Sequence, residues 1–360
     1  MRILYGLAGE GLGHATRSKV VISHLISRGH KVKIAASGRA FGVLEKSFPD
    51  VVQITGLELR YVDGAVNLGD SVIHNAQRLP EILTHAGAAF AEVDSFDPMF
   101  VISDFDSFAY LYAKSRNLPI LSIDNLQMIT RCMHDPPMLR RYGCLDGMAP
   151  AEAFVRSKLP GCDHYIVTTF FFLPVKAEDA STTTLVPPIV REEIVRAEPT
   201  DGDHVLVYQT AVGDSRLLNA LSSFPKQKFV VYGLRRDGIE GNCVLKNFSE
   251  AGFVKDLASA RAVVANGGMS LLGEAIYLQK PVYSVPIREH FEQAMNAAYL
   301  TEMDYGMTSE LFDADVLGRF LRCIPRLTDR MKSVPKQVAN TVSLGVVDHQ
   351  LAVIRATSRV

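Results

Sequence analysis

The stretch that decides the fold runs from Phe253 to Ala297 and reads FVKDLASARAVVANGGMSLLGEAIYLQKPVYSVPIREHFEQAMNA. Its segment Ala262–Asn266 is short, apolar and rich in β-branched residues, which predicts a buried parallel strand. The pair Gly267–Gly268 breaks this strand, and a helix is predicted to begin near Met269 or Ser270. The strand PVYSVP follows at once. This order of elements is typical of an open α/β sheet.

The glycine pair has a chemical meaning as well as a structural one. A strand that ends at a helix N-terminus presents free backbone N–H groups and the positive end of the helix dipole, which together favour a phosphate. Glu274 lies one turn into the helix, too far in for capping alone, and could accept hydrogen bonds from a ribose diol. For an isolated pair, a tight turn with Glu274 on a solvated helix face would be the simpler interpretation.

The pair is not isolated, because other recognisable residues flank it in a fixed order. F-x-x-x-L precedes the strand, N-G-G-M-S follows it, and Glu274, K-P-V, V-P, Glu292-Gln293 and Asn296-Ala297 come next. This order resembles the donor-nucleotide site of GT-B glycosyltransferases. It is most similar to the group of the peptidoglycan N-acetylglucosaminyltransferase, the natural-product and plant UDP-sugar transferases and an uncharacterised microbial branch. The resemblance implies an α/β fold with two Rossmann-like, doubly wound domains facing each other across a cleft.

The resemblance also implies roles for individual residues. The glycine-rich turn would hold the donor diphosphate, Glu274 the ribose hydroxyls, and Glu292 with Gln293 the sugar. Asn266 stands where many relatives have His or Arg, so its phosphate contact would be neutral. The full set of expected donor-binding residues is Gly13, Gln209, Thr210, Phe253, Val254, Asn266, Gly267, Gly268, Met269, Ser270, Glu274, Glu292 and Gln293.

Two pairs in that set carry specific expectations. Gln209 and Thr210 end the first strand of the second half, where an ordinary cap and turn is nearly as good an interpretation as a phosphate contact. Phe253 and Val254 are expected just before a helix at Asp256 to Ala260, where they would sandwich the nucleotide base.

The N-terminus predicts a second βαβ unit. The strand ILYGL leads into GEGLGHATR, a helix with Val20, Val21, Leu25 and Ile26 on its apolar face, and the strand KVKIAAS. Its glycines imitate a dinucleotide fingerprint but lack the third glycine at the required spacing, so that motif is weak.

His14 follows the first strand, at the edge where α/β sheets bind ligands, and its pKa suits a general base. Without other context it would be a polar residue at a helix start. In the inverting GT-B enzymes that the sequence resembles, a His in this loop deprotonates the acceptor hydroxyl, and an Asp at a nearby strand end orients it. By position that Asp is Asp104, preferred over Asp106, although both also suit helix N-capping.

Length and composition limit the architecture and the partners. A chain of 360 residues is long enough for two domains, and a net charge of −1 argues against a global attraction to nucleic acid or anionic lipid. The start of the chain resembles neither a signal nor a transit peptide, and no apolar run approaches the ~20 residues that span a bilayer. These features predict a cytoplasmic protein and leave peripheral membrane contact open. The five cysteines lack metal-site spacing and are expected to be free thiols.

The domain boundaries follow from composition. The predicted units are an N-terminal acceptor-binding domain at 1–180, a linker at 181–200, a C-terminal nucleotide-sugar domain at 201–340 and a helix at 341–360 that packs back on the first domain. His164 to Phe171 is predicted as the last strand of the first domain. Residues 124–150 are irregular, and Arg131, Arg140 and Arg141 there are candidate contacts for an acidic acceptor, although a solvated basic face is the default.

The functional hypothesis is an inverting, metal-independent glycosyltransferase that uses a nucleotide-sugar, with UDP favoured, and needs no cofactor. No Asp-x-Asp stands where a metal-bound diphosphate would need it. Two alternatives are a sugar-nucleotide 2-epimerase of the same fold, which needs more acid and base groups in the cleft, and an inactive nucleotide-sugar-binding protein. The acceptor is left open among lipid, natural product, glycan and modified nucleic-acid base, because a fold does not select it.

Overall fold

Two seven-stranded sheets, one from each half of the chain, organise the structure. It is a computed structural model, and it describes residues 1–9, 12–56, 60–62, 65–67, 70, 73–74, 77–209, 215–334 and 340–357. Each sheet is covered by helices on both faces, because its parallel strands are apolar on both sides and must be buried on both. The predicted α/β fold of two doubly wound domains is confirmed.

The first sheet is entirely parallel, with strand order β3-β2-β1-β6-β7-β8-β9. Its strands are β1 (Arg2–Leu7), β2 (Lys31–Ala36), β3 (Val51–Gln53), β6 (Phe100–Asp104), β7 (Ile120–Asp124), β8 (His164–Thr168) and β9 (Thr183–Val186). A separate antiparallel pair is formed by β4 (Arg60–Val62) and β5 (Ala65–Asn67). The helices of this half are α1 (Leu12–Ser27), α2 (Gly38–Leu44), α3 (Leu79–Phe96), α4 (Ser107–Arg116), α5 (Met128–Arg131), α6 (Pro136–Arg141) and α7 (Leu145–Lys158).

The second sheet has the order β12-β13-β11-β10-β14-β15-β16, and only its edge pair β12–β13 is antiparallel. Its strands are β10 (His204–Tyr208), β11 (Lys228–Tyr232), β12 (Gly238–Glu240), β13 (Cys243–Lys246), β14 (Ala262–Ala265), β15 (Val282–Ser284) and β16 (Gly306–Thr308). The later helices are α8 (Glu192–Arg196), α9 (Ser215–Ser222), α10 (Glu250–Ser259), α11 (Met269–Tyr277), α12 (Phe291–Glu302), α13 (Ala314–Lys332) and α14 (Thr341–Thr357).

Two local predictions differ from the structure. Thr183–Val186 pairs in parallel with His164–Thr168, so the predicted linker at 181–200 begins with a 3₁₀ turn and the edge strand of the first sheet. The four residues TTLV are β-branched or apolar, which favours a strand, but the Ser/Thr-rich run before them favoured a linker in the sequence interpretation. The apolar face of α1 also differs, since Ile26 is 44% exposed and Ile22 is buried in its place.

The C-terminal helix α14 packs on the first domain. Val347, Leu351 and Ile354 join the apolar cluster beside β1 and β2, and His24 contacts Asp348 at 3.0 Å. Because the chain returns in this way, the two domains are held together by more than the crossing segment.

The segments that follow β7 and β8 contact the second domain. The Phe171 ring stacks on Tyr299 of α12 with centroids 4.0 Å apart, and His134 Nδ1 accepts a hydrogen bond from the Tyr299 hydroxyl at 2.8 Å. Glu302, at the end of the same helix, accepts hydrogen bonds from Arg141 and Tyr142 at 2.9 Å each. The region predicted to shape an acceptor pocket therefore packs partly against the second domain.

All five cysteines lie within the described residues and are free, as predicted. Among the described residues, none of the helices combines the length and apolar composition needed to cross a bilayer.

Candidate active site

The order of the strands fixes where a ligand can bind. In each sheet the chain moves outward on one side and then returns to the other side of its first strand, which creates a switch point between β1 and β6 and another between β10 and β14. Open α/β sheets bind ligands beyond the carboxyl ends of strands at such points. His14 and Asp104 lie at the first, and Gln209 and Asn266 at the second.

His14 and Asp104 meet at the first switch point. His14 Nδ1 lies 2.7 Å from Asp104 Oδ1. The Asp104 side chain is fully buried, whereas the His14 side chain is 20% exposed. An ionised carboxylate can only accept, so Nδ1 carries the hydrogen and the lone pair of neutral His14 is on Nε2. This arrangement leaves a proton acceptor at an accessible strand end.

Arg17, one turn further along α1, completes the charge balance. Its side chain is 4% exposed and donates from Nε and Nη2 to the two Asp104 oxygens. Ser18 Oγ also donates to Asp104 Oδ2, at 3.0 Å. Asp104 is therefore fixed by four hydrogen bonds, and its charge is matched by a buried guanidinium.

This environment moves both pKa values in directions that suit a base. Burial alone would raise the pKa of Asp104, but Arg17 and His14 hold it down at about 2. Burial alone would lower the pKa of His14, but the charge and hydrogen bond of Asp104 outweigh that effect and raise it, with a further contribution from Glu292. Glu292 belongs to α12, so the second domain also contributes to the charge around His14.

Asp106 serves a different purpose. Its side chain accepts a hydrogen bond from the Ala109 backbone N–H at 2.7 Å and caps α4, and burial raises its pKa to about 6. The preference for Asp104 over Asp106 as the partner of His14 agrees with this geometry.

The glycine turn lies across the cleft from His14. Gly267 has φ of +96°, and a Cβ there would lie 2.9 Å from both the Gln293 carbonyl and Ser284 Oγ, so a side chain is excluded on two grounds. The helix α11 starts directly after Gly268. A Cβ on Gly13 would lie 2.7 Å from Ser270 Oγ, so the first turns of α1 and α11 are in close contact. Two helix N-termini, each with positive dipole character, therefore converge on the cleft.

Three buried polar atoms beside this turn have no hydrogen-bond partner in the described part of the chain. They are Gln209 Nε2, Ser284 Oγ and Asn296 Oδ1. Gln209 accepts from Asn266 Nδ2 through its other atom, at 2.5 Å, so its Nε2 is directed away from that contact. Burying unpaired polar atoms costs about 1–3 kcal/mol each, which points to a polar ligand at this turn.

The pair Glu292 and Gln293 begins α12. Glu292 Oε1 accepts a hydrogen bond from Asn125 Nδ2 at 2.7 Å, across the domain interface. Gln293 Oε1 accepts from the Ile287 N–H at 3.0 Å and so holds the loop before the helix. Asn296, one turn on, donates to the Gly267 carbonyl at 3.0 Å. The start of α12 is thus connected to the glycine turn on one side and to the first domain on the other.

Glu274 does not lie on a solvated helix face, and its carboxylate already has a partner. It is 1% exposed, and its two oxygens accept hydrogen bonds from Arg191 Nε at 2.6 Å and Arg191 Nη2 at 3.0 Å. Arg191 lies in the crossing segment between the domains, so its position could not be inferred from spacing. A ribose contact by Glu274 would have to share or replace this ion pair.

The helix that was predicted at Asp256 to Ala260 begins earlier and includes Phe253 and Val254. Phe253 and Val254 lie within α10, which begins at Glu250 after the cap residue Ser249, and they are 2% and 8% exposed. Phe253 packs edge-on against Tyr208 and Tyr232, because this face of α10 covers the sheet. Thr210, the other half of the predicted Gln209 pair, lies outside the described residues.

The three candidate acceptor arginines are not brought together. Arg131 lies over the Tyr165 ring at 3.3 Å and donates to Asp179 at 2.8 Å, and its side chain is 13% exposed. Arg141 contacts Glu302 of the second domain, and Arg140 is exposed. Arg131 is therefore an internal anchor of the first domain, which corrects its predicted role.

The sequence interpretation missed Arg17, Asn125 and Arg191. Arg17 stands one helical turn after His14, on the same face, and that spacing was a usable signal. Asn125 directly follows β7, at the edge where ligands bind. Arg191 had no such signal, because its partner lies 83 residues further along the chain.

This geometry is accompanied by a match to a known family. The model described as Glycosyl transferase family 1 matches residues 1–325. The chain belongs to this family. It is therefore a glycosyltransferase, and the matched region includes both switch points and the glycine turn. An uncharacterized glycosyltransferase of Methanosarcina acetivorans is 27% identical over 329 residues, covering 85% of each chain. A second, of Methanosarcina mazei, is 26% identical over 356 residues and covers 92% of this chain and 91% of the relative.

Solved structures show the fold of the glycosyltransferase to be GT-B. The spinosyn forosaminyltransferase SpnP superposes with a TM-score of 0.64 at 14% identity, over 98% of this chain and 99% of that one. The glycotransferase of kitacinnamycin gives 0.62 at 17% identity, over 92% and 93%. Phytolacca americana UGT2, complexed with UDP-2fluoro-glucose and pterostilbene, gives 0.61 at 15% identity, over 92% and 93%.

Proposed function

We propose that this glycosyltransferase moves a sugar, with inversion, from a UDP-sugar to an acceptor hydroxyl without the help of a metal ion. The observation that carries the proposal is the His14–Asp104 pair at one switch point facing the Gly267–Gly268 turn at the other. His14 would supply a proton acceptor on one side of the cleft, and the turn would supply backbone N–H groups for a diphosphate on the other, which is the arrangement that the proposed inverting transfer requires.

In the proposed reaction, His14 Nε2 takes the proton of the acceptor hydroxyl while the oxygen attacks the anomeric carbon. The bond from that carbon to the diphosphate breaks, and its electron pair leaves with the diphosphate. Attack from the face opposite the leaving group inverts the anomeric configuration. Asp104 stabilises the imidazolium that forms, and Arg17 keeps Asp104 ionised.

The leaving diphosphate gains charge, which the second domain can stabilise. The first N–H groups of α11 have no partner within the helix and carry the positive end of its dipole. Gln209 Nε2 and Ser284 Oγ are further donors at the same turn that have no partner among the described residues. Such preorganised donors stabilise developing charge in a transition state.

The function is tested with purified protein and a donor panel of UDP-glucose, UDP-N-acetylglucosamine, dTDP-glucose and GDP-mannose. Calorimetry identifies the donor that binds, and mass spectrometry of reactions with lipid, natural-product, glycan and nucleic-acid acceptors identifies the product. The anomeric proton coupling of the product in NMR is expected to show inversion. A product that retains the donor configuration would contradict the proposed mechanism.

Removal of divalent metal is expected to leave turnover largely unchanged, because helix N-termini and neutral side chains would carry the diphosphate charge. Turnover of the same preparation is measured before and after dialysis against EDTA. Activity that is abolished by EDTA and restored by Mg²⁺ or Mn²⁺ would show that a cation stabilises the leaving group instead.

Replacing Glu274 with alanine is expected to lower the free energy of unfolding by about 3 kcal/mol, because Arg191 would lose its buried carboxylate partner. Arg191 keeps the more exposed Glu250, at 3.4 Å, which limits the loss. Urea unfolding measures the effect, and Glu250→Ala is the matched control, with an expected cost below about 1 kcal/mol.

The same variant tests the proposed ribose contact. If Glu274 binds the ribose hydroxyls, nucleotide affinity should fall by about 1–3 kcal/mol, the scale of a lost hydrogen bond to a charged group. Unchanged nucleotide affinity in calorimetry, measured where the variant is folded, would remove Glu274 from the donor site and leave it as the partner of Arg191.

A further inference from the structure

Asn125 lies between the two halves of the site and contacts both. It directly follows β7 and is 3% exposed. Its Oδ1 accepts a hydrogen bond from Arg17 Nη1 at 3.3 Å, and its Nδ2 donates to Glu292 Oε1 at 2.7 Å. Arg17 belongs to the first domain and Glu292 to the second, so this one amide spans the interface.

The chemistry of the two partners fixes the orientation of the amide. A guanidinium can only donate hydrogen bonds and a carboxylate can only accept them. Reversing the Asn125 amide would set two donors against each other on one side and two acceptors on the other. Asn125 is therefore held in one orientation by a cation and an anion, which are stronger partners than neutral groups.

Arg17 and Glu292 each lie next to one of the two proposed functional groups of the cleft. Arg17 binds Asp104, which holds His14. On the other side, Glu292 Oε1 lies 3.5 Å from Asn296 Nδ2, and that amide donates to the Gly267 carbonyl. A continuous series of polar contacts therefore joins the proposed base to the proposed phosphate turn, and Asn125 is the member that crosses between domains.

We infer that Asn125 is a positioning residue that fixes the Glu292 carboxylate at the sugar end of the donor site when the two domains are apposed. This inference rests on the proposed function and on the sugar contact that the family resemblance implies for Glu292. Asn125 uses only one Glu292 oxygen, so the other remains to accept from a sugar hydroxyl. A free Glu292 side chain would sample several rotamers and would have to be ordered at the expense of donor affinity.

The inference predicts that Asn125 variants affect the nucleotide-sugar but not the nucleoside diphosphate alone. Asn125→Ala should lower kcat/KM for the nucleotide-sugar by about 10-fold to 100-fold, the scale of one lost hydrogen bond to a charged group. Affinity for the nucleoside diphosphate should be unchanged, because it lacks the transferred sugar that Glu292 is inferred to bind. Asn125→Asp should lose more than Asn125→Ala, because it sets a second carboxylate against Glu292.

The probes are UDP-glucose and UDP, or the panel donor that the wild-type protein binds and its matching diphosphate. The control is Asn242→Ala, which removes three amide hydrogen bonds to the carbonyls of Leu221, Phe224 and Gln227 in the second domain. That variant should lose stability without changing the ratio of the two affinities. Turnover of Asn125→Ala should fall at the same acidic pH as that of the wild-type protein, because Arg17 keeps both contacts with Asp104 and the pKa of His14 is therefore unaffected.

Two outcomes would overturn the inference. One is an equal loss of diphosphate and nucleotide-sugar affinity in the Asn125 variants, which would indicate a purely structural role. The other is wild-type kinetics in both variants. Wild-type protein that binds no nucleotide-sugar would overturn the proposed function and this inference together, so the two failures are distinguishable.

Discussion

Replacing His14 with alanine is expected to lower turnover by about 10²-fold to 10⁴-fold, the usual contribution of a general base. A sugar-acceptor hydroxyl is a poor nucleophile at neutral pH and must lose its proton as the new bond forms. Donor affinity should be nearly unchanged, because proton transfer is an interaction of the transition state. Turnover and donor affinity are measured in the same preparation.

The chain provides a matched control for this variant on the same helix. His24 also lies on α1 and also contacts a carboxylate, Asp348, at 3.0 Å, on the side that packs against the C-terminal helix. His24→Ala should therefore keep wild-type turnover. Full activity in His14→Ala, with an acceptor hydroxyl still being glycosylated, would show that His14 is not the general base.

The same base predicts the pH dependence of the reaction. His14 must be neutral to accept a proton, and Asp104 raises its pKa above the ordinary histidine value. Turnover should therefore rise with pH through that raised pKa and be lost as pH falls below it. In Asp104→Asn the raising influence is removed while burial and Arg17 still lower the pKa, so the acid limb should move to lower pH.

Replacing Asp104 with asparagine is expected to lower stability as well as turnover. Arg17, 4% exposed, would lose the carboxylate that balances its charge, and breaking a buried ion pair from one side costs about 3–5 kcal/mol. Turnover should fall by less than in His14→Ala, because the imidazole remains but its tautomer is no longer fixed. Urea unfolding and kinetics below the unfolding transition measure the two effects separately.

Ser18→Ala is the control for the Asp104 variant. It removes one hydrogen bond to Asp104 Oδ2 and leaves the charges in place, so it should cost about 1–2 kcal/mol. An Asp104→Asn protein as stable as the wild type would contradict the view that Arg17 depends on Asp104 for its burial.

Much of the framework was readable from local patterns. The run before Gly267, the helix start at Met269 and the βαβ unit at the N-terminus were predictable, because strand and helix periods and turn chemistry involve neighbouring residues. The nearness of His14 to Asp104 followed from a general rule, since Asp104 ends β6 and His14 follows the neighbouring parallel strand β1, in the first turn of α1. Their pairing was implied by the family resemblance.

Contacts between distant segments were decided by tertiary structure. Arg191 reaches Glu274, Asn125 reaches Glu292 and Arg131 reaches Asp179 across 83, 167 and 48 residues of chain. Hydrophobic periodicity indicates which face of an element is buried, but not which polar group of another element will meet it. The sequence by itself therefore determined the two sheets, the glycine turn and the strand ends where the chemistry lies. Only tertiary packing, within the first domain as well as between the domains, decided which charged side chains are paired, because an ion pair forms only when segments distant in the chain are brought together.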